Sequence, residues 1–142
     1  MSVYIDTSAL IAALVREPMS AAVRRWLVDR PAGDVFVSDW TDPEVASALS
    51  VKVRTGALTV DQRAAAASAW QRMRNAYLHV LAIEAEHFVA AARIADRHDL
   101  GIRAGDALHL AVAASAGFRL VTPDKSMAAA APLLGVPLEA FD

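Results

Sequence analysis

Short runs of β-branched and aromatic residues alternate with longer helical segments along this chain. Residues 3–5, 35–37, 78–83 and 118–122 are apolar runs of strand length, and residues 136–138 are a candidate fifth strand. Strands that alternate with helices form a parallel sheet with helices on both faces. The pattern therefore predicts an α/β fold. The length of 142 residues predicts one domain, from residue 1 to residue 142.

Capping and breaking residues indicate where the helices begin and end. Thr59 opens one helix with Gln62 three residues later, which is the pattern of a capping box. Asp39 or Thr41 is expected to cap the preceding helix, which ends at Gly56. The other helices are predicted over residues 8–15, from residue 18 to the RPAGD segment, over 84–98 and 104–117, and from residues 123–124 through the alanine tract at 128–131. A helix thus lies between every two consecutive predicted strands.

The composition excludes several classes of protein. The chain has no cysteine, so it has no disulfide, zinc–thiolate site or thiol nucleophile. Its formal net charge of −2 argues against a protein that binds nucleic acid by bulk positive charge. The segment MSVYIDTSAL lacks the basic and apolar regions of a signal peptide, and no apolar run approaches the length of a membrane span. We therefore expect a cytoplasmic protein with no membrane partner.

Four acidic residues fall at predicted strand ends or helix starts, inside apolar stretches of the chain. They are Asp6, Glu44, Asp106 and Asp124. Each of them alone could cap a helix or interact with its dipole. In a parallel α/β sheet, however, strand ends and helix starts share one edge, where ligands bind. Carboxylates gathered there repel one another unless a cation joins them, and their oxygens are ligands that suit Mg²⁺ or Mn²⁺.

Hydroxyl and imidazole groups lie close to these acids in the sequence. The hydroxyls of Thr7, Ser8 and Thr122 can support a carboxylate or a metal-bound water, or can act as helix caps. His109 lies one helical turn after Asp106. Because no second histidine lies at a metal-ligand spacing, His109 is interpreted as a core or hydrogen-bonding residue rather than a catalytic one.

Arginine supplies twelve of the fourteen basic residues. Arg103 lies one turn before Asp106 and can pair either with a carboxylate or with a phosphate. Arg72 and Arg74 lie on the fourth predicted helix, where a solvated face is favoured over contact with a nucleic-acid backbone. Lys125 is also interpreted as solvated.

The four acids stand in phrases that resemble the motifs of the PIN domain, and in particular of the VapC-type toxins of bacterial toxin–antitoxin systems. The phrases follow the order of the family across essentially the whole chain: IDTSAL, PEVASAL, RAGDALHLAVA and LVTPD. The third phrase is the most specific of them. After LVTPD, the sequence KSMAAA lacks the further polar or acidic residue and the aromatic residue that many relatives carry.

This resemblance implies a PIN-like fold with a five-stranded parallel sheet between two layers of helices. It implies an Mg²⁺- or Mn²⁺-dependent endoribonuclease toxin with RNA as its substrate. The catalytic and metal-binding residues would be Asp6, Glu44, Asp106 and Asp124. The supporting residues would be Thr7, Ser8 and Thr122. The partners would be a cognate VapB-like antitoxin and a second copy of the chain, in a homodimer or a toxin–antitoxin hetero-oligomer.

The group that attacks the RNA phosphodiester is predicted to be a metal-activated water, because the chain has no cysteine and no indication of a serine–histidine pair. Two alternatives stay open. A receiver-like signalling domain also has an acidic metal pocket with a threonine and a lysine, here Thr122 and Lys125. It needs adjacent acids after the first strand, however, where Asp6 stands alone. The other alternative is a PIN module that binds RNA or a partner without cleaving RNA.

Overall fold

A parallel sheet lies at the centre of the fold, in a computed structural model that describes residues 1–141. Its strands are β1 (Val3–Ile5), β2 (Val35–Ser38), β3 (His79–Leu81) and β4 (Arg119–Val121). The strand order is β3-β2-β1-β4, and each neighbouring pair is parallel. The helices are α1 (Thr7–Leu14), α2 (Ser20–Val28), α3 (Thr41–Arg54), α4 (Val60–Ala76), α5 (Ala85–Asp96), α6 (Ala104–Ala116) and α7 (Lys125–Leu133). The predicted α/β fold with a parallel sheet is confirmed.

Both faces of the sheet are buried, and successive residues of a strand alternate between the two faces. In β1, Val3 and Ile5 point to a core that is built with α1, α2, α3 and α4. Tyr4 points to the opposite core, which is built with α5, α6 and α7. None of these three side chains is exposed to solvent. Burial on both faces explains why the β1 segment has no charged residue before Asp6.

The fifth strand predicted at residues 136–138 is reduced to a single bridge in the part of the chain that the structure describes. Leu138 pairs with Leu120 in parallel orientation. Leu120 N donates to Pro137 O at 2.8 Å, and Glu139 N donates to Leu120 O at 2.9 Å. Pro137 has no N–H with which to extend the ladder towards residue 118. The sheet therefore has four strands rather than five.

Several helix ends follow the capping residues of the sequence. Gln62 N donates to Thr59 Oγ1 (3.1 Å) and Thr59 N donates to Gln62 Oε1 (2.9 Å), so the predicted capping box of α4 is formed. Asp124 caps α7, because its Oδ1 accepts a hydrogen bond from Met127 N at 2.9 Å. Gly117 ends α6 with a left-handed φ of +70°. No helix within residues 1–141 has both the length and the apolar character that a membrane crossing requires.

The cap predicted for α3 is wrong. The residue before α3 is Trp40 rather than Asp39, and Thr41 lies inside the helix. Thr41 Oγ1 accepts a hydrogen bond from Ser38 N at 3.3 Å, so this hydroxyl bonds the end of β2 instead of the helix start. The predicted α5 and β3 were also too long, since α5 ends at Asp96 and β3 covers three residues.

One carboxylate joins α3 to α4. The buried Trp70 donates from Nε1 to Asp42 Oδ1 at 2.9 Å. Arg74 donates from Nε to Asp42 Oδ2 at 3.0 Å. Arg74, which the sequence placed on a solvated face, therefore forms an ion pair between the two helices.

We expect the hydrogen bond to Trp70 to contribute more to stability than the ion pair with Arg74. Asp42→Ala leaves a buried indole N–H without a partner and is expected to lower the free energy of unfolding by about 1 to 3 kcal/mol. Asp42→Asn keeps an acceptor for Trp70 and removes only a partly exposed ion pair, at a cost below about 1 kcal/mol. Urea unfolding of both variants at pH 7 measures the difference, and equal stabilities would contradict this assignment.

Candidate active site

The four predicted acids line one cavity at the carboxyl edge of the sheet, and its volume is about 480 Å³. Asp6 directly follows β1, and Asp124 lies just beyond β4. Glu44 and Asp106 lie in the first turns of α3 and α6. The topology explains the arrangement, because parallel strands end at the same edge and the following helices begin there.

Hydroxyl donors hold Asp6 in place. Ser8 Oγ donates to Asp6 Oδ2 at 2.5 Å, and Thr122 Oγ1 donates to the same oxygen at 2.9 Å. Thr122 Oγ1 also accepts a hydrogen bond from Asp124 N at 3.0 Å. The Thr122 hydroxyl therefore connects the segments that follow β1 and β4. Asp6 is buried, and its other oxygen, Oδ1, lies 3.9 Å from His109 Nε2.

Thr7 and His109 hold Glu44. Thr7 Oγ1 donates to Glu44 Oε1 at 2.7 Å, and His109 Nε2 is in hydrogen-bond contact with the same oxygen. Burial alone favours the protonated carboxyl of Glu44 and so raises its pKa. The hydrogen bond and charge of His109 outweigh burial, together with the bond from Thr7, and the pKa of Glu44 is lowered. Glu44 is therefore an ionised acceptor at neutral pH.

His109 is fully buried and links Glu44 to a tyrosine in the core. Its Nδ1 lies 2.6 Å from Tyr4 OH, which in turn lies 2.8 Å from Ser38 Oγ. Burial opposes protonation of the imidazole, but the hydrogen bond to Glu44 and the negative charge of Asp6 raise the pKa of His109. The interpretation of His109 as a hydrogen-bonding residue is confirmed, and its partner is one of the four acids.

Asp106 shows the effect of repulsion between the acids most clearly. Its pKa is raised to about 6, first by burial and then by the negative charges of Asp6 and Asp124. His109 offsets part of this shift, and Glu44 adds to it. The fold thus keeps this carboxylate in a place where its charge is unfavourable in the absence of a cation.

The wall of the cavity carries an excess of negative charge. Its charged lining residues are Asp6, Glu17, Glu44, Asp106, Asp124 and Lys52. Lys52 Nζ is already paired with Glu17, at 2.7 Å. Within residues 1–141, no lysine or arginine forms an ion pair with any of the four predicted acids. The charge of these four residues is therefore left for hydroxyl groups, His109 and solvent to stabilise.

The charge and the donor atoms of this cavity fit a divalent cation. Asp6 Oδ1, Asp124 Oδ2 and both oxygens of Asp106 accept no hydrogen bond from residues 1–141. Carboxylate oxygens are the ligands that Mg²⁺ and Mn²⁺ prefer. In the side-chain positions of the structure, however, no three His, Asp or Glu groups of these residues are placed to hold a metal ion. A cation bound here in these side-chain positions would therefore take one or two carboxylates and complete its shell with water.

The basic residues near the motifs lie outside this arrangement. Arg103 is exposed and directly precedes α6. It forms no ion pair within the described residues, so the carboxylate, one of the two partners that the sequence left open for Arg103, is not engaged. Lys125, the first residue of α7, is exposed as predicted.

The sequence analysis missed three residues that contact the site or its support. Tyr4 bonds to His109, as described above, and Ser38 bonds to Tyr4. Gly105 lies beside Glu44, and a Cβ at Gly105 would lie 3.1 Å from Glu44 Oε2. One signal was available for Tyr4, because the hydroxyl of a buried tyrosine usually requires a partner.

The sequence also matches a known family. Residues 3–132 match the PIN domain. The chain therefore belongs to the PIN domain family, and the resemblance drawn from the four motifs is confirmed. No curated protein matches the sequence significantly.

Solved structures of VapC toxins and related proteins have a similar fold. VapC20 of Mycobacterium tuberculosis, a sarcin-ricin loop cleaving toxin, is 21% identical with a TM-score of 0.71, over 91% of this chain and 95% of that chain. PAE2754 from Pyrobaculum aerophilum is 26% identical with a TM-score of 0.67, over 91% of this chain and 78% of that chain. VapBC2 from Rickettsia felis, bound to a DNA fragment from its promoter, is 14% identical with a TM-score of 0.69, over all of both chains.

Removal of the Asp106 charge is expected to stabilise the protein in EDTA. The folded protein keeps a proton on Asp106 up to about pH 6, whereas the ordinary pKa of this group is 3.8. The folded state therefore binds more protons between these values, and the free energy of unfolding falls as the pH rises through them. With allowance for solvent screening at this half-buried site, Asp106→Asn is expected to gain about 1 to 2 kcal/mol at pH 8.

Urea unfolding at pH 8, 6 and 4 in EDTA measures this gain. The advantage of the variant should shrink as the pH falls from 6 to 4, because the wild-type carboxylate is then neutralised by a proton. Asp39→Asn is the matched control, since Asp39 is exposed at the same edge of the sheet and does not line the cavity. A gain of the same size at all three pH values would contradict the electrostatic explanation.

Proposed function

We propose that this chain is a VapC-like toxin, an Mg²⁺- or Mn²⁺-dependent endoribonuclease that hydrolyses RNA phosphodiester bonds. One observation carries the proposal: in a PIN domain, Asp6, Asp106 and Asp124 present carboxylate oxygens without a hydrogen-bond donor at a single cavity. The raised pKa of Asp106 supports it, because a cation would offset both the burial and the repulsion from Asp6 and Asp124 that raise it.

The chemistry follows from the roles of these side chains. Asp6, Asp106 and Asp124 would hold the cation. When bound, the cation supplies a water of lowered pKa and positive charge for the phosphoryl oxygens. Glu44 stays ionised because its pKa is lowered, so it serves as an acceptor that orients the attacking water or completes the ligand set. Thr7, Ser8 and Thr122 keep the carboxylates of Glu44 and Asp6 in place.

The relatives suggest the partners. VapC20 is a toxin that cleaves the sarcin-ricin loop, which supports structured RNA as the substrate class. Several similar structures are toxin–antitoxin complexes, including VapBC2 and a complex from Klebsiella pneumoniae. We therefore infer a VapB-like antitoxin as the partner, together with a homodimer or a toxin–antitoxin hetero-oligomer, in the cytoplasm.

Two alternatives are less well supported. Membership of the PIN domain family argues against a receiver-like signalling domain. A PIN module that binds RNA without cleaving it would not require four acids around one cavity without a lysine or arginine partner among residues 1–141, because buried charge without a function is costly. Loss of cleavage in EDTA, with RNA binding retained, separates a cleaving enzyme from a binding module.

Asp6→Asn is expected to lower RNA cleavage at least about 100-fold, because it removes a charged ligand from the metal site. New 5′ ends in total RNA, mapped by sequencing after incubation with Mn²⁺, measure the cleavage. Circular dichroism should show the same helix content as in the wild type.

Asp39→Asn serves as the matched control, because it makes the same chemical change on an exposed residue of the same edge. This control should cleave RNA as the wild type does. Wild-type cleavage by Asp6→Asn, or wild-type cleavage that persists in EDTA, would refute the proposed mechanism.

A further inference from the structure

A chain of buried polar groups crosses the fold from β2 to the cavity. Ser38 Oγ lies 2.8 Å from Tyr4 OH, and Tyr4 OH lies 2.6 Å from His109 Nδ1. On its other side, His109 Nε2 contacts Glu44 Oε1 and lies 3.2 Å from Thr7 Oγ1. The Ser38, Tyr4 and His109 side chains are at most 1% exposed. Each of these three buried groups thus has a partner, and the connected polar groups reach the cavity at Glu44 and Thr7.

Gly105 lies beside the second oxygen of Glu44. A Cβ on Gly105 would lie 3.1 Å from Glu44 Oε2 and 3.4 Å from Trp40 Nε1. A contact at 3.1 Å is tighter than about nine in ten of those that real Cβ atoms make, so the Glu44 carboxylate would have to shift by a few tenths of an ångström to accept a side chain here. Trp40 Nε1 is buried and faces Glu44 without a hydrogen bond of standard geometry among residues 1–141.

Backbone conformation does not explain the glycine at position 105. The other five glycines of the chain have positive φ values, whereas Gly105 does not. It lies in the first turn of α6, where alanine would favour the helix more than glycine does. The remaining explanation for a glycine at this position is the space that the absent side chain leaves for the carboxylate of Glu44.

We propose that His109 and Gly105 are positioning residues for Glu44, His109 by holding Oε1 and Gly105 by leaving room for Oε2. Together they fix where the Glu44 carboxylate stands relative to the cation held by Asp6, Asp106 and Asp124. This inference rests on the proposed function. It assigns His109 a part in the site, although the sequence indicates only a core or hydrogen-bonding histidine.

Gly105→Ala tests the steric half of the proposal. Its melting temperature in EDTA should equal or exceed that of the wild type, because alanine favours the helix. Its affinity for Mn²⁺ without RNA, measured from the free Mn²⁺ signal in electron paramagnetic resonance, should fall about 10-fold. Its kcat for RNA cleavage should fall about 10-fold or more, with KM for RNA within about twofold of the wild type. Ala104→Ser, a similar addition at the preceding exposed residue, is the control and should leave all three quantities unchanged.

His109→Gln and His109→Phe test the hydrogen-bond half. Glutamine keeps an N–H donor that can reach Glu44, whereas phenylalanine keeps the ring and loses the donor. If His109 positions Glu44, the Mn²⁺ affinity and the kcat of His109→Gln should be higher than those of His109→Phe. His109→Phe should lose about 10-fold or more in both quantities. If His109 only fills the core, the order is reversed, because phenylalanine preserves the packing of the ring better. The reversed order would overturn the proposal.

The outcomes also separate this inference from the proposed function. Wild-type Mn²⁺ affinity and kcat in Gly105→Ala and His109→Phe, with an active wild-type protein, would overturn the positioning role and leave the ribonuclease assignment intact. A wild-type protein that neither binds Mn²⁺ nor cleaves RNA would refute the ribonuclease assignment, and the positioning role would fall with it.

Discussion

Repulsion between carboxylates is the constraint on which the arrangement at the carboxyl edge depends. The parallel sheet gathers four acids there, and the structure stabilises them unequally. One oxygen each of Asp6, Glu44 and Asp124 accepts a hydrogen bond from a hydroxyl, imidazole or backbone donor. Asp106 has no such donor among the described residues, and its pKa is raised to about 6. The donors thus orient the acids, and no lysine or arginine within residues 1–141 pairs with them, so the cavity keeps its excess of negative charge.

The rigidity of this edge comes from the apolar layers beneath it. β1 lies between β2 and β4, and all of its side chains are buried. The acid and hydroxyl residues of the segment after β1 therefore extend from the best-packed strand of the sheet. Tyr4 has a double role, because its ring belongs to the core with α6 and its hydroxyl bonds to His109. Packing and site geometry are joined in this one side chain.

The sequence was sufficient for features that depend on local chemistry. The capping box of Thr59 and the cap formed by Asp124 need only a few neighbouring residues, and both are formed. The predicted fifth strand is not formed beyond a single bridge, because Pro137 lacks the N–H group that would extend the hydrogen-bond ladder. The predicted cap of α3 is not formed, because the Thr41 hydroxyl bonds to the preceding strand instead.

The contacts around His109 lay beyond the sequence for a different reason. Tyr4 and His109 are 105 positions apart, so no local pattern links them. Gly105 lies within the most specific motif, but its role depends on the Glu44 carboxylate, which belongs to another helix. The positions of the acids could therefore be predicted from motifs, whereas the interactions that orient them required the tertiary structure.

The position of β1 between its two neighbours has a consequence for synthesis of the chain. Thr122 donates to Asp6 across 116 positions, and β1 pairs with β4 along its whole length. A nascent polypeptide therefore lacks one wall of the acidic cavity until residue 124 has left the exit tunnel of the ribosome. A nascent chain that stalls on the ribosome before that point therefore has an incomplete set of acids at this edge.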